Sequence, residues 1–407
     1  MTNSHYKNDF PIFANNPGLV FLDSGASAQK PKYVIDETTR FIEHDYANIH
    51  RWHYRLSEKS DEIYEASKTM IAKQLNCSAD EIFYSYNATY GINMIAQSLK
   101  RSNFFSKWDK ILLGVWDHHA NIVPWQMLAE DLWLDIAFIQ MKNPDNHDYS
   151  IDRDDFDQKY DNSVKLIAVW QVSNVTGQIY HIKKLKSKLH EHTFLLVDAS
   201  QSIPHFAVNV NNLWCDALVF TGHKVMSYTG IWAVYLKKQW IKSLKPAFSG
   251  GGAIKEVTTQ WASFPNNSMK FEPWTPDIIG AVSLLKAFEY IENIWGYDTL
   301  RNHELQLIEY ALQGFEKLRD KVRLLGSYSK NNRVWVFSFF LPEQTNFNLL
   351  GEYFATHNIC IRSGGHCAHP LHHQVHAPWT NRMSLYLYNN EEDIEYFFDK
   401  LRSFLYT

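Results

Sequence analysis

Seven apolar runs of strand length, at residues 82–85, 111–115, 135–140, 166–169, 194–197, 217–220 and 232–236, alternate with stretches of helical periodicity. A strand covered on one face alternates apolar and polar residues. These runs are largely continuous apolar stretches, as expected of strands covered on both faces. Bounded by turn residues and separated by helix-length segments, they predict a mostly parallel sheet with helices on both sides. Between the runs, residues 58–75 place Ile63, Ala66, Met70 and Ile71 on one helix face, which reads as core. After about residue 280 the pattern changes. Two long helical segments, 279–294 and 300–318, precede an aromatic strand at 334–340. A helix, a strand through 360–362, a glycine-bearing loop, a strand at 382–387 and a helix at 391–404 follow. The expectation is an α/β chain of two domains. A large seven-stranded sheet domain spans 16–280, and a smaller α+β domain is built from 1–15 and 281–407.

A chain of 407 residues is long enough for two such cores. Its formal net charge of -4 gives no sign of a nucleic-acid or membrane partner. No run of 18 or more apolar residues exists, and Met1-Thr2-Asn3-Ser4-His5-Tyr6-Lys7 lacks the apolar stretch of a signal peptide. The cytoplasm is the expected compartment. The four cysteines, Cys77, Cys215, Cys360 and Cys367, form no CxxC pair, which suits a reducing environment. Cys215 and Cys360 sit beside apolar runs and read as core. Cys367 lies in a glycine-bearing loop beside His366, where a thiol can be exposed and tuned.

Two of the runs end in chemistry. Phe194-Leu195-Leu196-Val197-Asp198-Ala199-Ser200-Gln201 delivers a carboxylate, and Ala217-Leu218-Val219-Phe220-Thr221-Gly222-His223-Lys224 delivers an amine. Alone, a lysine after a strand is most often a solvated surface residue, and an aspartate after valine is often a helix cap. Together, acid on one buried strand and amine on the next are what pyridoxal phosphate needs. The lysine forms the Schiff base, and the aspartate keeps the pyridinium nitrogen protonated so that the ring acts as an electron sink.

Further segments stand in a definite order. Asp117-His118-His119-Ala120-Asn121-Ile122-Val123-Pro124-Trp125-Gln126 follows one strand, and Val172-Ser173-Asn174-Val175-Thr176-Gly177 another. Gly250-Gly251-Gly252, Arg362-Ser363-Gly364-Gly365-His366-Cys367-Ala368-His369-Pro370 and Asn381-Arg382-Met383-Ser384 come later. In this order and spacing they resemble the class V pyridoxal-phosphate-dependent aminotransferase family, and within it the SufS/CsdA-like (group II) cysteine desulfurases. The resemblance runs from Phe21-Leu22-Asp23-Ser24-Gly25 to the C-terminal helix. It implies the type I aminotransferase fold. It also implies a reaction that takes sulfur from L-cysteine, releases L-alanine and leaves a persulfide on Cys367.

The resemblance carries roles to individual positions. Asn87-Ala88-Thr89-Tyr90-Gly91 is by itself an ordinary capped helix start. In the family context the N–H groups of Ala88 and Thr89 meet the cofactor phosphate, with Thr221 and His223 offering side-chain donors. Thr275 of Trp274-Thr275-Pro276 reaches the phosphate of a neighbouring subunit, which implies a homodimer. His118 stacks on the pyridine ring and relays protons. Asn174 and Gln201 meet the phenolic oxygen and the substrate carboxylate. Arg382 clamps that carboxylate through its planar guanidinium, with Arg362 and Asn174 beside it. Lys224 is the base at Cα, and the Cys367 thiolate attacks the substrate sulfur. A tethered cysteine of this kind hands sulfur to a dedicated acceptor protein, as in iron–sulfur cluster assembly. The histidines at 366, 369, 372, 373 and 376 invite a metal reading. None is expected, because no second cysteine accompanies them and a soft metal would quench the thiolate.

The chain departs from the family pattern at the cofactor and the dimer seam. His50-Arg51-Trp52 stands where the family has His-Arg-Gly, and Asn87-Ala88-Thr89-Tyr90 replaces Gly-Thr-Thr-Glu. The lysine loop reads Gly222-His223-Lys224-Val225-Met226-Ser227-Tyr228-Thr229-Gly230, and Trp274-Thr275-Pro276-Asp277 replaces Gly-Thr-Pro. Losing glycine removes room and backbone freedom, and Tyr90 for glutamate changes a charge. Lys224, Asp198, His118, Arg382 and Cys367 are intact, so an active enzyme is expected. The alternatives are a related class V lyase or transaminase, a selenocysteine lyase, or a catalytically weak binding subunit of a sulfur-transfer assembly. Cys367 argues against the simple transaminase and Lys224 against the inert subunit.

Overall fold

All seven runs form strands of one sheet in the computed structural model, which describes residues 5–50, 53–186, 188–344, 346–377 and 379–406. Arg51 and Trp52, noted above, lie outside the described residues. The strands are β1 (Ile82–Ser85), β2 (Lys110–Gly114), β3 (Asp135–Ile139), β4 (Val164–Trp170), β5 (Phe194–Asp198), β6 (Ala217–Thr221) and β7 (Trp232–Leu236). Their spatial order is β1-β7-β6-β5-β4-β2-β3. Only β7 runs against its neighbours; the other pairings are parallel.

The continuous apolar character has the expected cause. Successive side chains of a strand point to opposite faces, and both faces are covered. Ile167, Val169, Leu195, Val197 and Leu218 enter one core, where α5 (Ile278–Asn293) packs on α1 (Lys32–His44) and α2 (Arg55–Leu75). Leu166, Ala168, Leu196, Ala217 and Val219 enter the other, beneath α3 (Ala88–Arg101) and α4 (Val123–Leu132).

A second sheet of four antiparallel strands holds the C-terminal region: β8 (Arg323–Leu324), β9 (Val336–Phe340), β10 (Arg362–Gly364) and β11 (Thr380–Ser384), in the order β8-β9-β11-β10. Around it lie α6 (Gly296–Glu316), α7 (Asn348–Ala355) and α8 (Glu391–Leu405). The strand expected at 382–387 ends at Ser384, because the amide of Tyr386 donates to the side chain of Asn389 and the chain turns into α8. The N-terminal residues pack here too. Lys7 pairs with Asp393 at 2.7 Å, and Val20–Phe21 runs parallel to Ile359–Cys360. The two sheets meet closely at Gly177 (φ 70°), where a Cβ would stand 2.6 Å from the Val336 carbonyl oxygen.

Candidate active site

Parallel strands bring their C-terminal ends to one edge, and that edge is where ligand crevices of open α/β sheets lie. Trp170 ends β4 and Asp198 ends β5, and their Cα atoms are register partners. Thr221 ends β6, and the turn after β2 carries His118. Gly222 is required here: a Cβ would lie 2.8 Å from the Ile231 carbonyl oxygen of the returning chain, so only glycine lets the strand turn directly into Lys224.

These ends enclose a cleft of about 190 Å³. Its wall includes Ala88, Thr89, His118, Asn174, Asp198, Thr221, His223, Lys224, Arg362 and Arg382. A larger cleft of about 460 Å³ near Lys142, Arg153 and Tyr180 contains none of these residues. Gln201 is buried beside the smaller cleft, and its amide donates to the Gly25 carbonyl at 2.8 Å rather than lining the wall. Thr275 is exposed in the segment before α5, off the cleft of its own chain.

Burial sets the charge states. The Lys224 amine is pushed down to about 8, chiefly by burial, with Asp198 opposing and Arg382 and Arg362 adding to the fall. His118 is pushed down to about 3 by burial and then by Lys224. It is neutral near pH 7, and its Nδ1 accepts the Ala120 amide at 3.0 Å, which leaves Nε2 to carry the ring proton. His223 is pushed down to about 3 by the same two causes. The Asp198 carboxyl is raised by burial, against hydrogen bonds from the Ser200 amide (2.9 Å) and the Trp170 indole (2.6 Å).

Arg382 is buried on β11. Its Nη2 pairs with Asp23 at 2.9 Å, and its Nη1 donates to the Asn174 carbonyl at 3.2 Å. Arg362 faces it as a register partner on β10. Cys367 is off the cleft wall, on a loop strapped to the large sheet. The Asn174 side chain donates to the His366 carbonyl (2.7 Å) and the His119 amide to the Cys367 carbonyl (2.8 Å). The His369 amide donates to His119 Nε2 (3.0 Å). His366 (φ 48°) and Cys367 (φ 57°) are consecutive left-handed residues, a costly backbone held by those straps.

Two residues that the sequence reading did not single out belong to this site. Trp170 lines the cleft and binds Asp198. Asp117 is fully buried and accepts the amides of Gly114 and Trp170, which locks the His118 turn against β4. Their signal was position: Trp170 is the last residue of its strand, and Asp117 precedes the histidine pair.

The class-V aminotransferase family model matches residues 20–397. A probable cysteine desulfurase of Synechocystis sp. is 34% identical over 402 residues, covering 98% of this chain and 94% of that protein. The apo cysteine desulfurase of Thermococcus onnurineus NA1 superposes with a TM-score of 0.92 at 29% identity, covering 98% of this chain and 97% of its own. The cysteine desulfurase CsdA of Escherichia coli, in an S-sulfonic acid form, gives a TM-score of 0.88 at 25% identity, covering 99% and 98%. The chain belongs to the class-V aminotransferase family.

The cofactor is pyridoxal 5'-phosphate, and the cleft suits it. Thr221 Oγ1, Asn174 Oδ1 and Arg382 Nε are buried polar atoms with no hydrogen-bond partner among the described residues, all from residues of this wall. Orphaned polar groups at this density mark a polar ligand's place. The first turn of α3, opening at Ala88 after the Asn87 cap, presents helix N-terminal N–H groups of the kind that bind anions.

Proposed function

We propose that the chain is a pyridoxal-phosphate-dependent cysteine desulfurase that converts L-cysteine to L-alanine and leaves the sulfur as a persulfide on Cys367. The observation that carries this reading is the strapping of the Cys367 loop to the His118–His119 turn, which ties this cysteine to the wall that holds Lys224 and Asp198. When bound, the cofactor supplies the sink for the electron pair released at Cα. Arg382, held by Asp23 and the Asn174 carbonyl, keeps a guanidinium edge for the substrate carboxylate. Lys224, with its amine near 8, exists partly as free base at neutral pH and takes the Cα proton. Neutral His118 would cover the bound ring, and it carries a proton at Nε2. The Cys367 thiolate attacks the substrate sulfur. The S–S bond forms as the Cβ–S bond breaks, the pair passes to the carbon fragment, and protonation gives alanine.

The cofactor contacts of Ala88, Thr89, Asn174, Gln201, Thr221 and His223, and the substrate contact of Arg362, complete the proposal. A homodimer is part of it. Tyr86, Tyr90, Phe248 and Trp274 form one aromatic cluster beside exposed Thr275, and Tyr86 and Phe248 are 44% and 41% exposed. An apolar patch of this kind suits a subunit interface. A sulfur-acceptor protein would meet the exposed side of the 366–369 loop. The cytoplasm fits four free cysteines, and no described helix is long and apolar enough to cross a membrane. The two sheets support the division into a 16–280 domain and a 1–15 plus 281–407 domain.

The test is to incubate the purified, cofactor-loaded protein with L-cysteine and measure alanine and protein-bound persulfide. Equal amounts of both in the first turnover are expected. Pyruvate or released sulfide without persulfide would favour a lyase, and no turnover would favour the binding subunit.

A further inference from the structure

We propose that Trp170 is a positioning residue for the cofactor ring, holding Asp198 and His118 in the orientation the pyridine needs. This rests on the pyridoxal-phosphate reading above and extends it to a side chain outside the assigned set.

Three contacts carry the proposal. The Trp170 indole Nε1 donates to Asp198 Oδ2 at 2.6 Å, while the Ser200 amide donates to Oδ1 at 2.9 Å. Each carboxylate oxygen therefore has one fixed donor, so the rotamer is set and lone pairs remain for a ring N–H. The Trp170 ring lies parallel to the His118 ring, at 2° between planes and 5.2 Å between centroids. Lys224 Nζ stands 5.7 Å from the same indole centroid. One side chain thus touches the group that would bind the ring nitrogen, the group that would stack on the ring and the amine that would attach to it.

Trp170 is itself held from both sides. Its amide donates to Asp117 at 2.7 Å and its carbonyl accepts from the Trp116 indole at 3.3 Å, so the turn carrying His118 is tied to the strand end carrying Trp170. Trp170 is 2% exposed. A buried carboxylate needs donors to stay ionised, and a charge-assisted N–H bond is among the stronger ones.

The experiment compares wild type, Trp170→Phe and Trp170→His. Phenylalanine keeps an aromatic ring and removes the N–H; histidine restores an N–H donor. Each purified apo-protein is titrated with pyridoxal phosphate by equilibrium dialysis, and the absorption spectrum of the bound cofactor is recorded. Trp170→Phe is expected to bind the cofactor about tenfold more weakly and to alter its absorption, with circular dichroism unchanged. Trp170→His is expected to recover most of both. Identical affinity and absorption in Trp170→Phe overturns the proposal. So does failure of both variants to fold, which would make Trp170 a core residue only. If wild type itself neither binds the cofactor nor forms alanine from cysteine, the functional reading fails instead.

Discussion

The backbone amide of His119 donates to the carbonyl of Cys367 at 2.8 Å, across 248 residues of sequence. This bond joins the turn that presents His118 to the loop that presents Cys367, the proposed nucleophile. The two straps beside it, Asn174 to His366 and His369 to His119, make the loop a fixed extension of the cleft. In the proposed reaction, a thiol held this way would meet the substrate sulfur without a loop-ordering cost at each turnover.

Cys367→Ala is expected to keep cofactor absorption and cysteine binding, because the thiol is off the cleft wall. Alanine formation should fall by about 100-fold or more, and protein-bound persulfide should vanish. Mass spectrometry of the protein after one turnover reads the persulfide. Wild-type rates in the variant would make the cysteine incidental.

Lys224 should titrate near 8 instead of its ordinary 10.5 in the cofactor-free protein. Burial and the two arginines disfavour the ammonium form, so the free amine gains as pH rises through that value. The rate of covalent cofactor capture by apo-protein should therefore rise between about pH 7 and 9 and level off above. A rate still climbing beyond pH 10 would contradict the burial argument. Lys224→Ala should leave no cofactor that borohydride can fix to the chain.

Arg382→Lys is expected to fail as a conservative change. A lysine cannot reproduce the planar fork that Asp23 and Asn174 hold in place. The loss should be about 2–3 kcal/mol, or roughly 30–150-fold in kcat/KM for cysteine, with cofactor binding retained. Steady-state kinetics on the loaded enzyme checks it, and an unchanged kcat/KM would remove Arg382 from the substrate site.

Glu272→Ala should be among the most destabilising single changes. Glu272 pairs with Lys68 at 2.8 Å, and it also accepts the Tyr64 hydroxyl (3.1 Å) and the Tyr84 amide (2.7 Å). Both charges are about 5% exposed or less. Removing one leaves Lys68 buried without its counter-ion, at a cost of about 3–5 kcal/mol. Urea denaturation of apo-protein measures it, and a cost under about 1 kcal/mol would show that Lys68 finds another partner.

Trp274→Asp, placed in the aromatic cluster with Tyr86 and Tyr90, should dissociate the proposed dimer. A buried interfacial carboxylate without a partner opposes association. Sedimentation velocity should show a dimer for wild type and monomer for the variant. A wild-type monomer that turns over cysteine would contradict the proposed phosphate site shared between subunits.

Much of this molecule is legible along the chain. The inner sheet strands show because burial on both faces leaves apolar runs with no polar alternation, as in Leu195, Leu196 and Val197. Asp198 shows because it follows directly on such a run, and Lys224 because it closes the short polar turn Thr221-Gly222-His223 after the next one. The helix opening at Ala88 shows through its Asn87 cap, whose side chain accepts the Tyr90 amide.

The sequence by itself therefore determined the sheet and the residue types that end its strands, since both are local consequences of burial and turn chemistry. Only the tertiary structure decided which of those ends meet. Trp170 reads as one more apolar residue until the register sets it beside Asp198 and its indole N–H finds the carboxylate. Glu272 has no local sequence signal, and the fold alone brings it to Lys68, 204 residues away. The loop of Cys367 could be placed only by hydrogen bonds to His119 and Asn174, from strand ends far back in the chain. Local pattern records what a residue must be buried against, and only the closed fold records which distant group is there.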